Sequence, residues 1–236
     1  MIDPIASLNV RAHTLAQFLV QDIVRPQLAA SDVHHLARVL RARNGERVCV
    51  IDGRGSWRVC AWQDDELQSV GDVETQTQDT PALRIAFPFL KSDKTEVVVQ
   101  KLTELGIDEL QLLLPTNASV RIPAAKLEKV MTRLRKVAHE AAMQSRRVWL
   151  PTVVDPIPPS EAVGGGYVLA HWGGQPLSDV VSGPGESSLS VAIGPEGGWT
   201  DAELALCRTP FSLGQTVLRA ETAAIAAAAL ISAVRA

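Results

Sequence analysis

The sequence predicts an α/β protein in two domains, a small β-rich module followed by a larger domain built on a largely parallel sheet. Three observations lead to this prediction. Short apolar runs separated by turn residues fill the N-terminal third, strands alternate with helices beyond it, and a polar stretch lies between the two regions. With 236 residues, of which 46% are hydrophobic and 21% charged, the chain can bury a sizeable core.

The N-terminal module centres on a predicted hairpin. Its strand candidates are Arg47–Ile51 (RVCVI) and Ser56–Trp62 (SWRVCAW), joined by an Asp-Gly-Arg-Gly turn. A helix capped near Ser31 and ended by Gly45 is expected ahead of the hairpin. One side of this helix carries Leu36, Val39 and Leu40.

A polar stretch, Glu74–Pro81 (ETQTQDTP), has no apolar periodicity and ends in proline. Such a composition is typical of a domain boundary. We therefore expect one domain over residues 1–76 and a second over residues 77–236.

The second domain alternates strands with helices, a pattern that implies a parallel sheet covered on both faces. The predicted strands are residues 83–89, 110–114, 167–171, 189–193 and 216–218. The predicted helices are residues 93–105 with Gly106 as the stop, a long helix after Pro123, a helix capped at Thr200 and a final helix from Ala220.

The long helix predicted after Pro123 has two distinct faces. Its apolar stripe consists of Leu127, Val130, Met131, Leu134, Ala138 and Ala141. The neighbouring polar face carries Lys126, Lys129, Arg133 and Lys136.

Basic residues are concentrated in two stretches, although the formal net charge is −3. From Arg121 to Arg147 there are eight lysines and arginines against two acidic residues, and from Arg38 to Arg58 six arginines against two acidic residues. Each stretch alone is compatible with a solvated face, whereas two together favour a polyanionic partner.

The remaining composition argues against several classes of protein. Three widely spaced cysteines form no disulfide framework and no CxxC motif, and the five histidines show no zinc spacing, so we expect no metal. No apolar run reaches the roughly 18 to 20 residues of a membrane span. The N-terminal segment lacks the features of a secretory signal, which predicts a cytoplasmic protein.

The segment LSVAIGPEGGWTDAE, residues 189–203, is the sharpest local signal. Its glycines follow a buried strand, at the edge where open α/β sheets bind ligands. Thr200 and Glu203 form a T-x-x-E capping box. The spacing matches neither a dinucleotide fingerprint nor a phosphate-binding loop, so a ligand site and a structural turn both remain open.

Two further charged segments could take part in chemistry. Arg219 and Glu221 lie between a short apolar run and an alanine-rich helix, where a functional role and a role in helix stabilisation are equally compatible with the pattern. Lys94, Lys101 and Glu104 share a helix face that is typical of solvated surfaces.

Four segments in a fixed order carry a family resemblance: KSDKTEVVVQKLTELGI, AHEAAMQSRR, IGPEGGWTDAE and LGQTVLRAETAAIAA. Together they resemble the ribosomal small-subunit methyltransferase E family, the 16S rRNA (uracil-N3)-methyltransferases of the SPOUT superfamily. The segment HHLARVLRARNGERVCVIDGRG is similar to the PUA-like RNA-binding module of that family. The resemblance implies a trefoil-knotted C-terminal α/β domain, an N-terminal PUA-like β-barrel and a homodimer.

The resemblance also implies S-adenosylmethionine as methyl donor and N3 of a decoding-centre uridine in 16S rRNA, on the small ribosomal subunit, as acceptor. The implied donor site is Leu169, His171, Gly194, Pro195, Glu196, Gly197, Gly198, Leu213, Gly214, Leu218 and Arg219.

Loss of the N3 proton requires a base or a cation that stabilises the uracil anion. Glu221 and Arg219 are the respective candidates. Salt-sensitive contacts to phosphates are expected from Arg38, Arg41, Arg54, Lys91, Lys94, Lys126, Lys129, Arg133, Lys136, Arg146 and Arg147.

Two departures from the family concern RNA docking. Where the family often has E-Q-S-G-R, this chain has Met143 for the acid and Arg146 for the glycine, and the extension before Ala12 also differs from the short basic start expected. The alternatives to the predicted function are a SPOUT methyltransferase acting on transfer RNA or a ribose hydroxyl, and a non-catalytic RNA-binding module. A nicotinamide-dependent dehydrogenase is disfavoured because its glycine fingerprint is missing.

Overall fold

A computed structural model describes residues 4–91, 93–114, 123–180, 188–207 and 209–235. Its contacts divide the chain into an N-terminal unit, Met1–Gln78 with Ala142–Leu150, and a C-terminal unit, Asp79–Ala141 with Pro151–Ala236. The end of the first segment lies close to the expected boundary after residue 76. Residues 142–150, which the sequence pattern places in the second domain, pack in the N-terminal unit because Val148 is buried against Cys49, Ile51 and Trp57.

The N-terminal unit is a five-stranded sheet with short helices. It contains α1 (Pro4–Ala12), β1 (Gln17–Leu19), α2 (Ala30–His34), a π-helical turn (His35–Leu40), β2 (Arg47–Ile51), β3 (Ser56–Gln63), β4 (Glu66–Ser69) and β5 (Glu74–Thr75). The strand order is β1-β2-β3-β4, with β5 also paired to β3. The antiparallel β2–β3 pairing confirms the predicted hairpin.

The helix ahead of the hairpin ends earlier than predicted. The π-helical turn stops at Arg41, whose φ of 54° is left-handed, rather than at Gly45. Ala42 N–H donates to the carbonyl of Leu36 at 2.9 Å, which closes the widened turn. This widening changes the helical period, so that Leu36 is buried while Val39 is 60% exposed.

The C-terminal unit is a six-stranded sheet flanked by helices. It contains β6 (Ala82–Pro88), α3 (Lys94–Glu104), β7 (Glu109–Leu113), α4 (Ala124–Gln144), β8 (Thr152–Ile157), α5 (Pro159–Gly164), β9 (Val168–Pro176), α6 (Leu177–Val180), β10 (Ser188–Ala192), α7 (Asp201–Leu206), β11 (Phe211–Ser212) and α8 (Ala220–Arg235). Only the last residues of α4 belong to the N-terminal unit. The strand order is β11-β9-β10-β6-β7-β8, and each pairing is parallel, as predicted.

Alternate residues of the central strands pack on opposite faces of this sheet. Ile85 and Phe87 of β6 belong to a core shared with α3, α4 and α8, whereas Ala86 belongs to a second core shared with α5 and Trp199. Helices therefore cover both faces. No described helix is long and apolar enough to cross a bilayer.

The segment Thr216–Leu218 is not a strand, contrary to the sequence-based prediction. The strand in this region is β11, which pairs with Gln175 and Pro176 at the end of β9. Val217 is 92% exposed, so the apolar run that suggested a buried strand lies outside the sheet. The helix that follows begins at Ala220 as predicted, and Gly106 ends α3 with a φ of 84°.

A largely buried ion pair ties the end of α8 to the sheet. Arg235 donates to the carboxylate of Asp108, and both side chains are only 11% exposed. Asp108 also accepts a hydrogen bond of 2.9 Å from the backbone of Leu83 in β6. The pair thus joins the C-terminal helix to the strand at the centre of the sheet.

Replacing Asp108→Ala leaves the Arg235 charge poorly compensated in a buried site. We expect it to lower the free energy of unfolding of the C-terminal unit by about 3 to 5 kcal/mol, measured by urea denaturation. Asp155→Ala, which removes an exposed pair with Arg135, is the control and should cost at most about 1 kcal/mol. Equal losses in the two variants would contradict this assignment.

Candidate active site

A cavity of about 660 Å³ opens at the carboxyl end of β10, beside the middle of β9, in the C-terminal unit. Its wall is formed by residues 170–172 of β9, the glycine loop after β10, the segment between β11 and α8, and the first turns of α3 and α8. The lining residues are Lys94, Ala170–Trp172, Ile193–Trp199, Phe211, Leu213, Gly214, Thr216–Glu221 and Ala223. Ligand sites of open α/β folds lie at this edge of the sheet.

The glycine loop is held in place by Trp199. The indole N–H of Trp199 donates to the carbonyl of Ala170 at 3.0 Å, which ties the loop to β9. A Cβ atom on Gly194 would lie only 3.0 Å from the Trp199 indole nitrogen, so a larger residue there would displace the indole by a few tenths of an ångström. Within the loop, Gly198 N–H donates to Pro195 O at 2.8 Å.

The helix after the glycine loop begins as the sequence predicts. The Thr200 hydroxyl accepts from the backbone of Glu203 at 3.2 Å, and the Glu203 carboxylate accepts from the backbone of Thr200 at 2.7 Å. This capping box confirms the T-x-x-E prediction. The loop is therefore anchored at its strand end, at its tryptophan and at its helix end.

An ion pair joins two helices at the cavity. Lys94 Nζ in the first turn of α3 lies 2.7 Å from Glu221 Oε1 in the first turn of α8. The Lys94 hydrogen bond is the main cause that lowers the pKa of Glu221, and the charge of Arg219 adds to it. Glu221 is therefore ionised at neutral pH, and a cation and an anion lie side by side at the cavity wall.

The cavity collects nearly all the residues that the family resemblance implies for the donor site. Ten of them line it, including Arg219, and the other candidate catalytic residue, Glu221, lines it as well. The exception is Leu169, whose side chain is fully buried in the core with Trp199 and Ala192. Leu169 pairs with Ala192 in the sheet, next to residues that line the cavity, without lining it itself.

Sequence reasoning missed three prominent residues of the cavity. Lys94 was expected at an RNA-binding surface, but its ammonium group pairs with Glu221. Trp172 and Trp199 also line the cavity, and neither was expected there. Trp199 directly follows the glycines and could have been found from that position, whereas local sequence gives no signal for the other two.

The basic side chains expected to bind RNA fall into two groups. Those of the C-terminal unit with exposed positions are Lys91, Lys126, Lys129, Arg133 and Lys136. Arg133 pairs with Glu96 at 2.8 Å and Lys136 lies 3.7 Å from Glu140. In the N-terminal unit Arg38, Arg41 and Arg54 are exposed. Arg121, part of the same basic stretch of sequence, lies outside the described residues.

Arg146 and Arg147 have structural partners in the N-terminal unit. Arg146 donates to the carbonyl of Thr14 at 2.9 Å and accepts at its own carbonyl from Arg11. Burial lowers the pKa of Arg146. Arg147 donates to Trp149 O at 3.2 Å and accepts from Gln17 at 2.8 Å. These contacts occupy both side chains within their own unit.

The backbone at Arg146 explains the glycine that the family often has there. Its φ is 61°, in the left-handed region that glycine adopts without strain. The hydrogen bonds to Thr14 and from Arg11 offset the cost of this backbone conformation in the present chain.

Among the described residues there is no cluster of three or more histidine, cysteine or acidic side chains that could hold a metal ion.

The chain is similar to known proteins over most of its length. An RNA methyltransferase domain model matches residues 78–232, and an RNA methyltransferase PUA domain model matches residues 28–64. The ribosomal RNA small subunit methyltransferase E of Synechocystis sp. is 34% identical, covering 97% of this chain and 83% of its own. The chain belongs to the ribosomal RNA small subunit methyltransferase E family.

A second relative and a solved structure are also similar to this chain over most of their length. The Bacillus subtilis methyltransferase E is 29% identical, covering 87% of this chain and 88% of its own. A Legionella pneumophila protein, solved in complex with the bound cofactor S-adenosylmethionine, superposes with a TM-score of 0.79 at 25% identity. That superposition covers 94% of this chain and 98% of the Legionella chain.

Replacing Lys94→Met should raise the pKa of Glu221 towards its ordinary value, because the main interaction that favours the carboxylate is lost. An NMR pH titration of the Glu221 carboxyl carbon measures this change. Since the folded-state pKa is depressed, the pair stabilises the wild type above the ordinary carboxyl pKa, and this stability is lost as the pH falls through the folded-state value.

The control for this titration is Lys101→Met. Lys101 lies on the same helix, but its ammonium pairs with Glu104 at 2.7 Å. It should leave the Glu221 pKa unchanged. A Glu221 pKa that is also unchanged in Lys94→Met would exclude the ion pair in solution.

Proposed function

We propose that this protein transfers a methyl group from S-adenosylmethionine to N3 of a decoding-centre uridine in the 16S rRNA of the small ribosomal subunit. The observation that supports it best is the single cavity wall that brings together the glycine loop, Arg219 and the Lys94–Glu221 pair. Membership in the methyltransferase E family supports the reaction class and the RNA substrate.

The cavity residues fit the proposed donor. The space around Gly197 and Gly198 is open, since no atom outside the adjacent residues lies within 4 Å of a Cβ built at either position, so a purine edge can approach the main chain there. Leu213 and Leu218, both half-buried against the core, offer an apolar slot for a ring. When bound, S-adenosylmethionine supplies an electrophilic methyl group on its sulfonium sulfur, which requires no metal.

The residues of the wall then act on the acceptor. Positioning of N3 is the larger part of catalysis in a displacement of this kind. We propose Glu221 as the acceptor of the N3 proton and Arg219 as the cation that stabilises the uracil anion. The lowered pKa of Glu221 keeps the carboxylate available, at the cost of weaker basicity. Lys94 places this carboxylate and adds a second positive charge.

The exposed basic residues support binding to a large RNA. Lys126 and Lys129 project from α4, and Arg38, Arg41 and Arg54 lie on the N-terminal unit, whose sequence matches a PUA domain model. Phosphate contacts of this kind position an RNA without reading its sequence, so we propose that an unstacked uridine provides the specificity. A ribosomal substrate also implies action in the cytoplasm.

Family resemblance adds three structural proposals. We propose that the C-terminal unit carries the trefoil knot, that the strands of the N-terminal unit close into a PUA-like barrel, and that two chains form a homodimer. The exposed apolar residues Leu230 and Val234 on α8 are compatible with such an interface.

The proposed reaction is tested by methyl incorporation from labelled S-adenosylmethionine into small ribosomal subunits lacking the modification. Nucleoside analysis of the 16S rRNA should give 3-methyluridine. A ribose-methylated product, or incorporation only into transfer RNA, would exclude the proposed acceptor, and donor binding without transfer would exclude an enzyme.

Glu221→Gln tests the proposed base in the same assay. It removes the proton acceptor while keeping a similar shape, so we expect turnover to fall by a factor of about 10² to 10⁴. Glu104→Gln, on a charged pair with Lys101 outside the cavity lining, is the matched control. Unchanged turnover and an unchanged pH profile in Glu221→Gln would exclude its role as base.

Lys126→Ala combined with Lys129→Ala should weaken RNA binding. The slope of log affinity against log salt should decrease by about 1 for each lysine that contacts a phosphate. Fluorescence anisotropy of labelled 16S rRNA fragments at several salt concentrations measures the slope. Arg135→Ala on the same helix, whose guanidinium pairs with Asp155 at 2.7 Å, should leave it unchanged. An unaltered slope in the double variant would exclude this face.

A further inference from the structure

Trp172 is the most exposed aromatic side chain of the described structure. Its indole is 81% exposed, and it lines the cavity. The protein has five tryptophans, all within the described residues, and the other four are buried or half-buried: Trp57, Trp62, Trp149 and Trp199. An exposed indole beside a cavity offers a flat apolar surface on which a planar ligand can stack.

The main chain around Trp172 has contacts on both sides. On one side the His171 ring is held by a hydrogen bond of 3.1 Å from Gly173 N–H to Nδ1. On the other side a Cβ atom on Gly174 would lie 2.5 Å from Pro210 O, so the chain passes directly against β11. Trp172 therefore projects from a strand that is fixed on both sides.

One face of the indole is partly covered and the other is open. The ring centroids of His171 and Trp172 are 5.2 Å apart with an interplanar angle of 36°. Because the indole is nevertheless 81% exposed, its second face is free for a planar ligand. Nucleobases stack on such aromatic faces, and a base can do so while it remains part of an RNA chain.

The two ligands of the proposed reaction differ in how they would use this cavity. Most of the donor residues proposed above lie in the glycine loop and in the segment before α8, and His171 directly precedes Trp172. An RNA base has to enter from solvent, and the exposed Trp172 is at the solvent side of the lining. Arg219, the cation proposed above for the uracil anion, is also exposed and lines the same cavity.

We propose that Trp172 is the stacking platform for the acceptor base, with the His171 ring behind it. The ligand is an unstacked pyrimidine of single-stranded RNA. This inference rests on the proposed function, because it assigns the second substrate of the same cavity. It makes Trp172 a residue that positions the base, whereas Glu221 and Arg219 act on its proton and charge.

Three measurements on Trp172→Leu and Trp172→Phe test this proposal. For Leu we expect the KM for small subunits to rise by about 5- to 150-fold, the range that corresponds to loss of one base–aromatic stack, while Phe retains most of the affinity. Donor affinity, measured by calorimetry, should be unchanged in both. A uridine-rich oligonucleotide should quench the wild-type tryptophan fluorescence, and this quenching should be lost in both variants.

Leu206→Ala is the control, because Leu206 is 73% exposed in the same unit but does not line the cavity. It should leave all three measurements unchanged. Weakened donor binding in Trp172→Leu would overturn the proposal by placing the donor on the indole. A wild-type dimer that dissociates in Trp172→Leu, detected by sedimentation, would overturn it by placing a second chain there.

The quenching measurement separates this proposal from the proposed reaction. If the wild type methylates uridine but Trp172→Leu has an unchanged KM, the stacking platform is wrong and the reaction stands. If the oligonucleotide quenches Trp172 but no methyl group is transferred to any RNA, the reaction is wrong and the base-binding role of Trp172 stands.

Discussion

Parallel pairing of β10 with β9 on one side and β6 on the other fixes the loops that form the cavity. Val191 and Ala192 pair with Val168 and Leu169, and the same two residues pair with Ile85 and Ala86. β10 ends at Ala192, which pairs with Leu169, whereas β9 continues to Pro176, so the glycine loop lies beside residues 170–172 of β9. The hydrogen bond from Trp199 to Ala170 then joins them directly, which is why the loop holds its position although it is rich in glycine.

Charge in the cavity depends on the contact between two helix N-termini. Lys94 on α3 and Glu221 on α8 approach within 2.7 Å because both helices pack on the same face of the sheet. An N-terminal dipole favours a carboxylate at the start of α8, and the Lys94 ammonium favours it further. A carboxylate held in this way is ionised and oriented in the absence of substrate, and this would reduce the reorganisation required for the proton transfer that we propose.

The N-terminal unit shows how a departure from a family pattern can be accommodated. Residue 146 requires a left-handed backbone, which glycine adopts freely and arginine does not. The extension formed by α1 supplies Arg11, which is 3% exposed, lies over the Trp57 ring at 5.2 Å and donates to the carbonyl of residue 146. The two departures from the family, the N-terminal extension and Arg146, are thus in direct contact within one unit.

Local patterns in the sequence were sufficient for much of the fold. The β2–β3 hairpin, the capping box at Thr200 and the start of α8 follow from turn residues, side-chain capping and apolar periodicity, each of which acts over a few residues. The order of the family segments was likewise sufficient to place the glycine loop, Arg219 and Glu221 among the candidate site residues. Short-range hydrogen bonds and side-chain spacing determine the hairpin, the capping box and the start of α8, so a short stretch of sequence is enough to predict each of them.

Tertiary packing alone decided the remaining features. Lys94 reaches Glu221 across 127 residues of sequence, Leu169 turns into the core rather than the cavity, and Val217 lies outside the sheet despite its apolar neighbours. Residues 142–150 join the N-terminal unit through burial of Val148. In each case the position of the residue depends on packing between segments that are distant in the sequence. Neither the apolar periodicity nor the residue types of a short segment predict such packing.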